Sequence, residues 1–447
     1  MKKILLFAFS SLLISTSTNA QAWIEQNSNF ATQSEGVLDI SVVDDNTAWI
    51  LGYDGTGNGV NFLDFARTID GGNTFVPGTV GTDTTFQFSN ISALNADTAW
   101  VCMFDHNAGF GGGIWQTTDA GASWLQQGVG TMYTTTNSFP NIVHFWNAND
   151  GMTMGDPANN YFEIYTTIDG GATWVRVPQA NIPAPQSGEF GIVNWYDVIG
   201  DNIWFYTNKG RVFRSNDKGF TWAMSPMHNL TTTQFVNLKF FDANNGISNI
   251  GTTGGAFVAA YQTSDGGVTW TAYTPIGNFL TSDLVVIPGT SVAISSGAAS
   301  GVEGSSYTTD LGLNWNDIDF GQGIQHTALG ASSYNGLWAG GFSGGFQSGG
   351  IFKFDGYNLG VHDNIVDLRS YNLYPNPSNG LVTLNVKSKS NETTVLVVDA
   401  MGKVVFSQNC PGNMVNKSFD FSTLSKGIYS LMVISANDKT TEKLVIQ

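Results

Sequence analysis

At 447 residues the chain is longer than one ordinary compact domain. Its 53 glycines, 13% aromatics and only 12% charged residues exclude long charged surface helices and suit many short strands joined by turns. Residues 21–360 hold 28 acidic against 8 basic side chains, which excludes nucleic acid and anionic membranes as partners of that part; from 361 on the balance is 7 against 8.

The first residues, MKKILLFAFSSLLISTSTNAQAW, give two lysines, an apolar run from Ile4 to Ile14 and small residues up to Ala20 and Ala22. This pattern predicts a Sec-type signal peptide over 1–20, with the mature chain starting near Gln21 or Trp23. Its apolar core is too short to span a bilayer, and no later stretch predicts a transmembrane helix. Cys102 and Cys410 fall in different halves of the chain, so an exported protein of this kind is expected to rest on its core rather than on disulfides.

A phrase like YTTIDGGATW then recurs. Its aspartates are Asp70, Asp119, Asp169, Asp217, Asp265 and Asp310, at gaps of 49, 50, 48, 48 and 45 residues, and a degenerate copy ends at Asp355 a further 45 on. A period near fifty is the mark of propellers and solenoids, in which each repeat is one supersecondary unit. Ahead of each aspartate stand two apolar runs around a short polar turn, such as ISALNADTAWVCMF and LKFFDANNGISNIG. Turns such as Asn149-Asp150-Gly151 and Asn244-Asn245-Gly246 are hairpin signals, because they tolerate positive φ. Each unit therefore predicts a four-stranded antiparallel blade. The expected fold is all-β: a seven-bladed β-propeller over 21–360, a linker over 361–371, and a small Ig-like β-sandwich over 372–447. AWIEQNSN at the mature start matches the strand after the aspartate turn in other repeats (SWLQQ, TWVRV), so Trp23 to Gln26 are expected to supply the outer strand of the last blade.

An aspartate in such a setting could serve as an acid, a metal ligand or a turn corner. The phrases have the pattern Ser/Thr-x-Asp-x-Gly-x-Thr/Ser/Asn-Trp/Phe and resemble the Asp-box, or BNR, repeat. The Asp can accept N–H bonds across its own turn, the Gly allows positive φ, and the closing Trp or Phe buries a large ring. Six equivalent aspartates around a ring cannot all be catalytic, so they read as structural corners. Proteins with this repeat include sialidases, xyloglucan-cleaving glycosidases, sortilin-like receptors and photosystem II assembly factors, so the resemblance leaves activity open.

Segments between blades place Phe88, Phe139, Glu189, Phe190, Gln234 and Phe235 near a mouth on the face opposite the aspartate turns, where a ligand site is expected. A sialidase-like clamp needs three arginines, and Arg67, Arg176, Arg211 and Arg214 are too scattered to predict one. A glycosidase of another kind would draw two carboxylates from Asp54, Asp64, Asp105, Asp156, Glu163, Glu189 and Glu303. No nucleophile elbow, phosphate loop or metal-ligand spacing is present, and Asp105-His106, His144, His228 and His326 form no cluster. No catalytic residue, metal or cofactor is therefore expected. The function expected is a binding or scaffold propeller with a glycan or protein ligand, and a polysaccharide-active glycoside hydrolase is the alternative.

From Asn372 lysines appear and the fifty-residue period ends. Pro375-Asn376-Pro377, Gly380, Asp399, Gly402, Lys403, Leu424, Gly427, Tyr429 and Lys443, in that order, closely resemble the type A C-terminal sorting domain of type IX secretion cargo. The resemblance implies passage through the Sec translocon and then the type IX machinery of a Bacteroidota-type cell, with surface display or release.

Overall fold

The computed structural model describes residues 22–108, 111–355, 371–387, 392–399, 404–411, 414–435 and 438–447. The expected signal peptide, residues 361–370 of the expected linker, and Gly402 and Lys403 lie outside these residues; Tyr371, expected in the linker, already begins a strand. The chain divides into two compact units, 1–358 and 359–447.

Among its described residues the first unit is all-β apart from one 3-10 turn at Gln179–Asn181. Five four-stranded antiparallel sheets succeed one another along the chain, beginning at Phe86, Pro140, Gly191, Gln234 and Asp283. In each, the four strands lie in sequence order. A further sheet joins the two ends of the unit. In it Gln33–Val42, Ala48–Asp54, Asp64–Thr68 and Val76–Thr79 adjoin Leu337–Gly345, which carries Leu329–Ala331 and Ser348–Phe354. On the outer side of Ser348–Phe354 lies the N-terminal strand Trp23–Asn27, in antiparallel register from Trp23 opposite Phe354 to Asn27 opposite Gly350. The strand expected from the AWIEQ match is thus where that match put it, covering an edge that would otherwise be open.

The first strands of successive sheets touch in order, and Leu329–Ala331 touches both Asp283–Val286 and Gln33–Val42, so the series returns on itself. Second strands such as Ala48–Asp54 and Ala99–Asp105 are buried over five successive residues, because a neighbouring sheet covers each face. Their large rings bridge the sheets: Trp100 stacks on Phe145 at 3.6 Å and Trp204 on Phe240 at 3.8 Å. Fourth strands are short and largely exposed, as with Thr271–Tyr273 and Val175–Arg176.

The second unit packs a three-stranded sheet (Tyr371–Tyr374, Leu381–Lys387, Met414–Asp420) with a four-stranded one (Glu392–Val398, Val404–Pro411, Gly427–Ser435, Asp438–Ile446). Val382, Leu384, Val395, Val397, Phe419, Leu431 and Leu444 form their shared core. The Pro-Asn-Pro motif has a clear task here. Asn376 accepts the Val445 amide at 2.9 Å and donates to the Lys443 carbonyl at 2.5 Å, pinning the start of the unit to its last strand. Gly380 has φ +110°, and a Cβ there would stand 2.5 Å from the Ser422 backbone.

Candidate functional site

The repeated aspartates are corners of their own turns. Asp169 accepts the Thr173 amide at 2.8 Å, the Thr173 hydroxyl at 2.6 Å and the Thr167 hydroxyl at 2.8 Å, and the Thr167 oxygen in turn accepts the Gly171 amide at 2.9 Å. Asp70, Asp119, Asp217, Asp265 and Asp310 repeat the arrangement. Hydrogen bonds from the Thr269 hydroxyl and amide hold Asp265 down at about 2. Such a group stays ionised and is held by its own turn.

The residues expected at the mouth do not come together. Phe88 is 4% exposed and belongs to the core between the first two sheets, because Phe86–Ala93 is covered on both faces from Phe88 to Ser92. Phe139 stacks on Phe104 at 4.5 Å, and Phe235 leans on Trp195 at 6.2 Å. Gln234 accepts the Thr231 amide at 3.0 Å. Glu189 is buried in an ion pair with Arg211, accepting its Nε at 2.8 Å and the Thr207 hydroxyl at 2.6 Å. Phe190, 44% exposed, is the one that presents its ring to solvent.

The loop carboxylates are likewise committed. Asp54 takes the Thr56 and Val60 amides, Asp105 the Asn107 and Ala108 amides, and Glu303 the Gly301 amide. Glu163 is buried against the Ser138 and Tyr165 hydroxyls, both at 2.6 Å. Asp156 accepts Asn141 at 2.7 Å and the Gly191 amide at 3.0 Å, and burial pushes it up to about 7. Asp64 faces Glu35. The arginines form no clamp: Arg176 lies over the Tyr161 ring at 4.0 Å, Arg214 donates to Ser225 at 2.7 Å, and Arg67 pairs with Asp97 at 3.6 Å. Among the described residues no three of His, Cys, Asp or Glu gather as metal ligands. His228 meets the Tyr261 hydroxyl at 2.9 Å and His326 meets Asp319 at 2.7 Å.

A cavity of about 670 Å³ lies instead on the axis, lined by the first strands of every sheet and reaching down to their turns at Gly200, Asp242 and Gly289. None of the six expected mouth residues lines it. Its charged groups are Asp39, Asp197, Asp242, Asp283 and Lys239, with His144 alongside. Neighbouring first strands diverge too far for backbone pairing, and side chains bridge the gap. Asp39 accepts the Ile91 amide at 2.9 Å, Asn90 the Val143 amide at 2.9 Å, Asp197 the Phe240 amide at 2.7 Å and Asp283 the Leu329 amide at 2.7 Å. Burial raises these three aspartates, Asp283 to about 6, and lowers His144 to about 4. Lys239 sits 3.5 Å from Asp197.

One strand departs from the common pattern. Between Gly191 and Tyr196 the register slips, because five residue steps face two on the partner, from Thr207 to Phe205. Asn194, at φ 60°, is thrown into the axis and donates to Asp39 at 3.0 Å from a strand 155 residues away. The stitching residues were missed in the sequence. Their signal is an Asp or Asn just ahead of an apolar run: Asp39, Asn90, Asp197, Asn237 and Asp283, spaced in rough multiples of the repeat.

Fold and tail together define the class: a β-propeller protein carrying a sorting domain for type IX secretion. Residues 372–447 match the family described as "Secretion system C-terminal sorting domain", which directs the chain to the outer cell surface or beyond it. Among the described residues no helix is long and apolar enough to cross a membrane. No curated protein matches the chain. Among solved structures it resembles YCF48 bound to D1 peptide, with TM-score 0.52 and 18% identity over 75% of this chain and 97% of that one. It also resembles the GH74 xyloglucanase of Xanthomonas campestris (TM-score 0.46, 10% identity, 82% of this chain and 60% of that one). A further likeness is to PorZ, a surface component of the type-IX secretion system of Porphyromonas gingivalis (TM-score 0.27, 11% identity, 90% and 69%). At such identities the likeness concerns the fold.

Proposed function

We propose that residues 21–360 are a seven-bladed Asp-box propeller that binds a glycan or protein ligand, exported through the Sec translocon and the type IX machinery of a Bacteroidota-type cell on an Ig-like tail. The observation that carries this reading is the axial cavity. It is large enough for a ligand side chain or sugar ring, yet its carboxylates are held by backbone amides and so are built to position rather than to transfer protons. Asp39, Asp197, Asp283 and Lys239 would recognise hydroxyl or charged groups there, and Trp195 would offer a ring face.

The hydrolase alternative needs two carboxyl groups about 5–9.5 Å apart across a cleft. The facing pair Glu35 and Asp64 is in hydrogen-bond contact instead, and Glu35 is 0% exposed. The test is binding of the full secreted chain to glycan and peptide arrays, with reducing ends assayed on the bound polysaccharides. Binding without new reducing ends, weakened at least tenfold by Lys239→Met, is expected. New reducing ends, or binding lost in Phe190→Ala and untouched in Lys239→Met, would overturn the reading.

A further inference from the structure

The strand Gln33–Val42 joins Leu337–Gly345 through two residue pairs, Gln33 with Gly344 and Gly36 with Phe342. The register shifts between them, and Ser34, at φ 63°, and Glu35 occupy that interval. Glu35 is therefore inside the seam where the two ends of the first unit meet. It is 0% exposed, and neither carboxyl oxygen has a well-formed hydrogen bond to an N–H or O–H. What stands against it is the carboxyl of Asp64, close enough for one hydrogen to bridge them. Gly52 supplies the room, since a Cβ there would lie 2.2 Å from Glu35 Oε1.

The surroundings bring no compensating charge. Asp54 stands opposite Glu35 in the register but turns its carboxylate to the Thr56 and Val60 amides. Tyr53 packs on Gly36 and on Phe342, and burial raises its phenol to about 12. The strand Leu337–Gly345 carries no ionisable group, and Arg67, at the far end of Asp64–Thr68, is engaged by Ala96 and Asp97. Thr32 offers its amide from the preceding turn. Glu35 is buried and Asp64 half-buried, and two adjoining carboxylates in that setting without a cation are costly, so the pair favours holding a proton.

We propose that Glu35 and Asp64 share a single proton and act as an alkali-sensitive latch on this seam. With the proton in place the pair is one strong hydrogen bond; without it, two like charges stand in contact inside the register shift. Burial and Asp64 raise Glu35 from 4.5 to about 8. Because the folded value is raised, the stabilisation is complete below the unfolded value and is lost as pH rises toward 8.

Thermal unfolding of the full chain at pH 6 and pH 9 tests the latch, with wild type, Glu35→Gln and Asp64→Asn compared in EDTA and in calcium chloride. The wild type is expected to lose roughly 4 °C more than either variant between the two pH values, since an amide donates the bridging hydrogen at any pH. Should a variant fail to fold, hydrogen exchange on the wild type gives the local answer. Amides at Gln33, Gly36, Phe342 and Gly344 should accelerate by well over tenfold per pH unit between pH 7 and 9, while the other sheets keep the tenfold of base catalysis. Equal pH dependence in wild type and variants, uniform exchange, or rescue at pH 9 by calcium ion would each overturn the proposal, the last because the site would then take a cation.

Discussion

Replacing Trp23 by alanine should unlock the ring, because this residue carries the N-terminal strand's hold on the rest of the unit. Trp23 is 0% exposed, donates from Nε1 to Ser305 at 2.8 Å, and packs its ring against Phe354 at 5.0 Å and His326 at 5.2 Å. Emptying a wholly buried tryptophan site costs about 3–5 kcal/mol, and the lost hydrogen bond adds about 1 kcal/mol. Ser305 is not orphaned, since its hydroxyl also donates to Asp319 at 2.6 Å. For a unit of this length each kcal/mol moves Tm by about 1–2 °C, so a fall of roughly 5–10 °C is expected in calorimetry of the secreted chain. Ile24→Ala, on the same strand but 49% exposed, should stay within about 0.5 kcal/mol of wild type. A Trp23→Ala protein that melts within about 2 °C of wild type would refute the idea that this strand closes the ring.

The buried and surface charges give two further outcomes. Arg211→Ala leaves Glu189 buried and unpaired and should cost about 3–5 kcal/mol in urea unfolding, whereas Glu189→Gln with Arg211→Met should recover part of it. Equal destabilisation by the single and double changes would argue against the pair. The repeated aspartates act at the acid end. Their folded values are depressed, Asp265 to about 2, so their stabilisation is present above the unfolded value and disappears as pH falls toward 2. Tm should drop between pH 4 and pH 2, less steeply in Asp265→Asn, and parallel slopes would show that these turns do not couple to folding.

The parts of the fold visible in the sequence are those set by short-range chemistry. Thr167, Asp169, Gly171 and Thr173 make a turn that closes within seven residues, so the phrase itself carries the geometry. The apolar runs that precede it alternate with hairpin turns, and the resemblance of AWIEQ to SWLQQ put Trp23 opposite Phe354. The sorting tail was legible for a similar reason, since Asn376 and Gly380 serve turns and contacts with tight backbone demands. The axis was not. Asp39, Asn90, Asp197 and Asp283 look like ordinary strand-start residues, and their task exists only because neighbouring first strands diverge and leave amides such as those of Ile91 and Phe240 without a backbone partner. Phe88 and Glu189 shared the wording of exposed loop residues, but Phe88 packs into the core between two sheets, and Glu189, in the segment ahead of Gly191–Ile199, is closed in by Arg211 and Thr207. Glu35 and Asp64 are 29 residues apart in sequence; the sheet brings them together across Gly52 on the strand between theirs, and Glu35 is closed from water in the seam with Leu337–Gly345. Turn chemistry and periodicity are properties of a segment, while burial and the company a charge keeps belong to the closed ring.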